Sequence, residues 1–194
     1  PKTSGKVFLR GKELNIHGPA DAVDAGIGYL SEDRKRFGLL LIQDVTFNIA
    51  LSSLKKFTNK FGFFKKSPAV VIAKEGIKTL GIKTPSERQL LKNLSGGNQQ
   101  KVVIAKWLAK DCEVLIFDEP TRGIDVGAKD EIYKLLTKLA SQGKSIIMIS
   151  SELPEVLRMS DRIAVMCEGR LTGIIDNKDA DQNSIMQLAT KFRD

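Results

Sequence analysis

Two carboxylates in succession, Asp118 and Glu119, stand directly behind the apolar run Val114-Leu115-Ile116-Phe117 and ahead of Pro120-Thr121. Ionised carboxylates at the edge of a low-dielectric core are costly unless a cation or hydrogen-bond donors compensate them. At the carboxyl end of a strand, Asp118 is placed to hold Mg²⁺ through water and Glu119 to polarise an attacking water. The plainer alternative is an exposed strand end followed by a turn. A second pattern lies upstream, in Leu94-Ser95-Gly96-Gly97-Asn98-Gln99-Gln100. Two glycines ahead of a helix expose backbone N–H groups, the helix start adds positive potential, and Ser95 supplies a hydroxyl. Together they suit a phosphate arriving from outside; an ordinary helix start with Ser95 as its cap is the competing reading.

The elements that must carry these residues alternate between strand and helix. Val7–Leu9 and Leu14–Ile16 flank Arg10-Gly11-Lys12-Glu13 as a hairpin. Pro19 opens a short helix that ends before Gly26. Ile27–Leu30 reads as a brief buried strand, 31–38 as a polar loop, and 45–91 as helical, interrupted at Gly62, Ser67-Pro68 and Thr84-Pro85. A helix is expected from Gln99 to Lys110 and an amphipathic one from Lys129 to Ser141, with Ile132, Leu135, Leu136 and Leu139 inward. Val114–Phe117 lacks alternation, as in a parallel strand covered on both faces, and Ile146–Ile149 reads as a second buried strand. A short helix from Pro154, a strand from Arg162 to Cys167, a Glu168-Gly169 turn and a strand from Leu171 to Ile175 follow. This alternation predicts an α/β fold with a mainly parallel sheet, whose ligands bind at the carboxyl ends of the strands.

Leu94-Ser95-Gly96-Gly97, then Phe117-Asp118-Glu119-Pro120-Thr121, then Gly123-Ile124-Asp125 closely resembles the ATP-binding-cassette family in order and spacing. The resemblance implies a P-loop NTPase-like cassette, with the signature loop, the Walker B strand and the D-loop in those three segments. It spans nearly the whole chain and implies a single partial domain: a β-subdomain and Q-loop region at 1–44, a helical subdomain at 45–93 and the signature-to-core segment at 94–194. Carried over, it makes Asp118 the Mg²⁺ residue and Glu119 the general base. Ser95, Gly96 and Gly97 would touch the γ-phosphate of ATP, with Asn98 and Gln99 in the same nucleotide site completed by a partner cassette; Glu119 would belong to the other site, and Asp125 would communicate across the pair.

Three departures narrow the resemblance. No Gly-x-x-x-x-Gly-Lys-Ser/Thr occurs in these residues, so the cradle for the β-phosphate, its Lys and its Mg²⁺-binding hydroxyl are not among them. Pro1-Lys2-Thr3-Ser4-Gly5 resembles the family segment that follows this loop, so the first strand, the loop and its helix are expected upstream. The Q-loop glutamine falls on Glu32 and the switch histidine on Ser151; a hydroxyl cannot carry charge as imidazole can. With Asn98-Gln99-Gln100-Lys101 and Ser150-Ser151-Glu152-Leu153-Pro154-Glu155, these departures look like the second cassette of bacterial monosaccharide importers of the ribose, xylose and galactose type. That implies a peripheral ATPase on the cytoplasmic face of the inner membrane, partnered by a second cassette, permease subunits and, indirectly, a periplasmic sugar-binding protein. Two other readings stay open: a non-catalytic structural or regulatory half, and an ATPase of the DNA-repair kind.

Composition limits the choices. The 194 residues are 42% apolar and 28% charged, which excludes a disordered tail and allows one sizeable core. No apolar stretch reaches the roughly 20 residues of a membrane-spanning helix. Cys112 and Cys167 lack metal-ligand or redox spacing and read as reduced core residues. His17 reads as a loop residue. The net charge of +8 concentrates in Lys55, Lys56, Lys60, Lys65 and Lys66 among Phe57, Phe61, Phe63 and Phe64. A solvated face with packing aromatics is expected there rather than a nucleic-acid platform, and no nucleic-acid partner is expected.

Overall fold

The computed structural model describes residues 4–192; of the Pro1–Gly5 segment singled out above, residues 1–3 lie outside the described part. Two compact units emerge, Pro1–Ile147 and Met148–Asp194.

In the first unit, β1 (Val7–Leu9) and β2 (Lys12–Leu14) pair antiparallel, Val7 opposite Leu14. Arg10 and Gly11 both take positive φ, 52° and 74°, as a two-residue turn matched to strand twist requires. The second strand therefore begins two residues earlier than the sequence suggested. The short helix α1 (Pro19–Asp24) has Pro in its first turn, and Gly26 follows at φ 88°. β3 (Ile27–Leu30) runs parallel to β4 (Val114–Asp118), with Tyr29 opposite Ile116. β5 (Ser145–Ile149) completes the order β3-β4-β5, and the unit boundary falls within it.

Between β3 and β4 the chain is helical. The expected loop at 31–38 contains one wide helical turn, Arg34–Gly38, because Asp33 Oδ1 accepts from the amides of Lys35 and Arg36 at 3.1 Å each. α2 (Val45–Ala50) and α3 (Lys66–Leu80) follow. Ser67-Pro68 does not interrupt α3 but sits in its first turn, where the missing amide costs nothing. Buried Asn48 donates to the carbonyls of Leu40 and Asp44 and accepts from Leu40 N, closing the loop before α2. α4 (Gly96–Lys110) and α5 (Val126–Ser141) flank β4 in sequence, and Val102, Val103, Ile104, Leu115, Phe117, Ile132 and Leu136 are buried.

Two strands differ from expectation. Along β4 burial alternates, Leu115 and Phe117 inside and Ile116 half-buried, and in β5 Ile147 and Ile149 are about half exposed. Both runs look uniformly apolar in sequence, but only one face of each is covered within the structure.

In the second unit, α6 (Leu153–Met159) precedes the antiparallel pair β6 (Arg162–Cys167) and β7 (Arg170–Asp176), joined by the expected Glu168-Gly169 turn. An unanticipated helix, α7 (Gln182–Ala189), packs Ile185 onto Ile163 and Val165. Cys112 and Cys167 are buried and unpaired, as expected, and His17 is an exposed loop residue.

Candidate functional site

Within the first unit three segments meet: the turn after β3, the start of α4 and the turn after β4. Arg34 is the bolt between them. Only 9% exposed, its guanidinium donates from Nη1 to the Arg122 carbonyl at 3.2 Å. A Cβ on Gly96 would lie 2.7 Å from Arg34 Nη2 and 3.3 Å from the Gly123 carbonyl, so any larger residue there would have to displace the Arg34 guanidinium. Gly97 makes a comparable approach to α5, where a Cβ would meet Ala128 Cβ at 2.8 Å. Burial lowers the pKa of Arg34, and its Nε finds no hydrogen-bond partner.

The glycines are thus the first turn of α4 rather than a loop ahead of it. Gln99 N is the first amide to reach an intrahelical acceptor, Ser95 O at 2.9 Å, which leaves Gly96, Gly97 and Asn98 N–H as the donors that every helix start lacks partners for within the helix. Ser95 is exposed at the cap position, but its Oγ accepts from Asn98 Nδ2 at 2.8 Å instead of capping an amide. Asn98 Oδ1 in turn accepts from Lys83 N at 2.7 Å. Gln99 faces inward: buried, it donates to the carbonyls of Leu91 and Leu94 at 3.0 and 3.1 Å. Its side chain shapes the approach to α4 rather than lying open to a ligand.

At the end of β4, Asp118 is half-buried and its Oδ2 accepts a 2.6 Å hydrogen bond from the Tyr29 hydroxyl. Glu119 follows at φ 47°, in the left-handed region that disfavours side chains, and its carbonyl accepts from Arg122 N at 3.1 Å. Strain of this kind persists where the surroundings over-determine it, here a turn with buried Pro120 and Thr121. Glu32 forms an ion pair with Arg122, so it leans on the turn after β4. Asp125 caps α5, its Oδ1 accepting from Ala128 N at 2.9 Å. Ser151 belongs to the second unit, exposed just ahead of α6; beside it Ser150 Oγ donates to the buried Glu155 carboxylate.

The structure therefore joins Glu32 to the Arg34–Gly96–Arg122 junction, with Ser95 and Gly97 at the same helix start, while Asp125 caps α5. Sequence reasoning missed Tyr29, Arg34 and Lys106. Tyr29 was findable from register alone, because opposite Ile116 it shares a sheet face with Asp118 two residues on. Lys106 and Trp107 line a crevice of about 720 Å³ that also contains Tyr29, Ile116, Phe37 and Asp118. Lys106 Nζ donates to the Gly38 carbonyl at 2.8 Å, and burial pushes its pKa down to about 8. Among the described residues no group of three or more His, Cys, Asp or Glu side chains gathers as a metal cage. A single carboxylate at a strand's end still suits Mg²⁺, which takes one or two carboxylates and completes its shell with phosphate oxygens and water.

Comparison with known proteins identifies the family and the fold. Residues 1–122 match the profile of the family described as ABC transporter. A protein of Burkholderia lata, provisionally named a ribose/galactose/methyl galactoside import ATP-binding protein, is 59% identical over 191 residues, 98% of this chain and 37% of its own length. The ribose import ATP-binding protein RbsA of Clostridium perfringens is 56% identical over 97% of this chain and 38% of its own. The xylose import ATP-binding protein XylG of Thermoanaerobacter pseudethanolicus is 54% identical, again over 97% of this chain, and 37% of its own. The chain thus spans less than two-fifths of the length of the curated relatives it matches. In fold it resembles the ATP-binding cassette MJ1267 of an ABC transporter, with TM-score 0.78, 18% identity, and 96% of this chain and 77% of that one covered. It also resembles MJ0796 in a dimeric post-hydrolysis state, with TM-score 0.72, 23% identity, and 90% and 74% covered.

Proposed function

The chain belongs to the ABC transporter family, and on that premise we propose that it forms part of the ATP-binding, ATP-hydrolysing subunit of a monosaccharide importer. The observation that carries the proposal is the junction at Arg34, which packs the Ser95-Gly96-Gly97 helix start against the turn that follows Asp118 and Glu119. Relatives named for ribose, xylose and galactose import support the substrate class.

On this reading Ser95 Oγ and the amides of Gly96, Gly97 and Asn98 meet the terminal phosphate of a nucleotide held from the other side by a second cassette. The helix start is suited to that because its amides and dipole favour an anion. Asp118 and Glu119 serve the other ATP site, whose phosphate loop is not among these residues; there Asp118, held by Tyr29, would bind Mg²⁺ through water, and the ion would supply neutralisation of developing phosphate charge. Glu119 accepts the proton of the attacking water at its carboxylate; its left-handed backbone fixes where that carboxylate starts. Glu32 and Ser151 stand where the family has its Q-loop glutamine and switch histidine, and Asp125 carries the state of one cassette to the other. The remaining assignments follow from the same reading: permease subunits and a periplasmic sugar-binding protein as partners, and a peripheral place on the cytoplasmic face of the bacterial inner membrane.

One observation favours the non-catalytic alternative. The Glu32 carboxylate is engaged by Arg122, which weakens its hold on a metal or water in this half. A DNA-repair ATPase is not supported: the longest helix of the insert, α3, has 15 residues, too short for a coiled-coil arm.

The test is ATP turnover by a protein of the relatives' length that contains this chain, assembled with its permease. Ser95→Arg, which puts a bulky cation at the exposed cap position of the helix start, is expected to abolish sugar-stimulated turnover while leaving assembly intact. Undiminished turnover in that assembled variant overturns the role given to residues 95–98.

A further inference from the structure

The lysine-rich segment of the helical insert takes no part in the nucleotide site, and its structure stands on its own. No acidic residue occurs between Asp44 and Glu75, while Lys55, Lys56, Lys60, Lys65, Lys66 and Lys74 all fall there. All six are exposed. Arginine is also absent from Arg36 to Arg88.

Within this segment residues 58–64 form an ordered turn. Thr58 and Phe64 form a single isolated antiparallel bridge. Asn59 Oδ1 accepts from the amides of Phe61 and Phe63 at 2.9 and 3.0 Å, and Asn59 N donates to Phe63 O at 3.0 Å. Gly62 supplies the positive φ of 82° at the tip. These bonds close the turn on itself.

Its phenylalanines divide into two pairs. Phe57, 3% exposed, is buried with Ala50 and Ala69, and Phe64 packs against it and against Phe47, with ring centroids 6.5 and 5.6 Å apart. These two anchor the base. Phe61 and Phe63 are 74% and 71% exposed at the tip, and Lys60 Nζ lies 5.1 Å from the Phe61 ring centre. Two outward rings at the tip bury little surface within the chain, and a cationic collar without any acid disfavours pairing with another copy of itself.

We propose that the 58–64 turn docks on an anionic phospholipid surface, with the Phe61 and Phe63 rings entering the headgroup layer and Lys60, Lys65 and Lys66 held by lipid phosphates. Aromatic rings settle at the membrane–water interface, and flexible lysines gain from the diffuse charge of anionic lipid. Single-stranded nucleic acid asks for something else: aromatics along a groove that tracks the backbone, often with arginine forks that recognise phosphate two bonds at a time. This tip is convex and has lysines only.

The experiment is co-sedimentation of the chain with vesicles of phosphatidylcholine, with and without phosphatidylglycerol, alongside a duplex-DNA titration. Two variants carry it: Phe61→Ser/Phe63→Ser and Lys60→Glu/Lys65→Glu/Lys66→Glu. All five side chains are exposed, so both variants are expected to fold as the parent, checked by circular dichroism. The lysine variant should lose at least about 100-fold in binding to the anionic vesicles, at about fivefold per charge neutralised. The phenylalanine variant should lose about tenfold, while the steepness of its salt dependence stays unchanged. Phe63→Trp should be quenched by brominated lipid beyond the quenching of Trp107 in the parent. Failure of the parent to bind anionic vesicles overturns the proposal. So does equal binding by both variants, or turn-dependent binding to DNA under conditions where vesicles are not bound.

Discussion

The Tyr29 hydroxyl donates a 2.6 Å hydrogen bond to Asp118 Oδ2, tying the ends of two neighbouring parallel strands together on one face of the sheet. The bond needs the phenol protonated and the carboxylate ionised. It raises the Tyr29 pKa above its ordinary value, first through the hydrogen bond, then through burial and the carboxylate's charge. A raised folded-state value means that the stabilisation is complete below the ordinary phenol range near 10 and is lost as pH climbs through the higher folded value. Tyrosinate absorbance should show Tyr29 ionising later than a free phenol, and Asp118→Ala should bring it back down. If the variant titrates like the parent, Asp118 is not the cause.

Lys106 works with the opposite sign. Burial lowers its pKa from 10.5 to about 8, although Nζ keeps the Gly38 carbonyl at 2.8 Å. Between those values the unfolded chain binds a proton that the folded one does not, so stability rises with pH across that window and is flat below it. The shift corresponds to about 3 kcal/mol, against about 1 kcal/mol for the hydrogen bond. Lys106→Met is therefore expected to stabilise the chain by about 2 kcal/mol at neutral pH and to flatten the slope between about 8 and 10. Urea unfolding across that range checks both; an unchanged slope in the variant assigns it to another group.

Why some of this was legible and some not follows from what periodicity encodes. β4 and α5 were readable because a short apolar run before two carboxylates, and an inward stripe of Ile132, Leu135, Leu136 and Leu139, have few other uses. The start of α4 was misread because glycine argues against a helix locally; the close approaches of Gly96 to Arg34 and Gly97 to Ala128 are tertiary facts that no local propensity contains. α7 was passed over since eight residues hold too little pattern, although Asp181 and Ser184 cap each other reciprocally and could have marked its start. The two exposed strand faces were not foreseeable, because an apolar run does not say which side is covered. Tyr29 and Arg34 required the register of β3 on β4 and the path of the turn after it.

Gly97→Ala weighs two effects. Alanine favours a helix over glycine by about 1 kcal/mol, and Gly97 lies within α4. The new Cβ would stand 2.8 Å from Ala128 Cβ on α5, where neither backbone can yield cheaply. Overpacking costs about 1–3 kcal/mol, so a net loss of about 1 kcal/mol is expected. Ala128→Gly should restore stability in the double variant. A stable Gly97→Ala protein with no response to Ala128→Gly would show that the two helices separate easily.

Calorimetry of ATP with Mg²⁺ against this chain alone should give no detectable heat of binding. On the proposed reading the helix start and the strand-end carboxylates serve two different nucleotides, neither of which they hold alone, and no Gly-x-x-x-x-Gly-Lys-Ser/Thr loop lies within the 194 residues. Micromolar binding would mean that another part of the chain, the crevice beside Tyr29 and Trp107 first among the candidates, holds the phosphates or the base.

Glu119→Gln separates the catalytic reading from the structural one. The substitution keeps size and hydrogen bonding but removes the proton acceptor, and the left-handed backbone at φ 47° is no worse for Gln than for Glu. Stability of the chain should therefore change by less than about 0.5 kcal/mol. On the function proposed above, this half is the weaker catalyst in a protein of the relatives' length, with the Glu32 carboxylate held by Arg122 and Ser151 standing where the family has imidazole. Turnover should then fall by no more than about twofold, because general base catalysis worth about 100-fold or more is lost at the weaker of two sites. Complete loss of turnover would show that Glu119 serves the main hydrolytic site and end the asymmetric reading. No loss at all would make this half structural, with Glu119 serving only its turn.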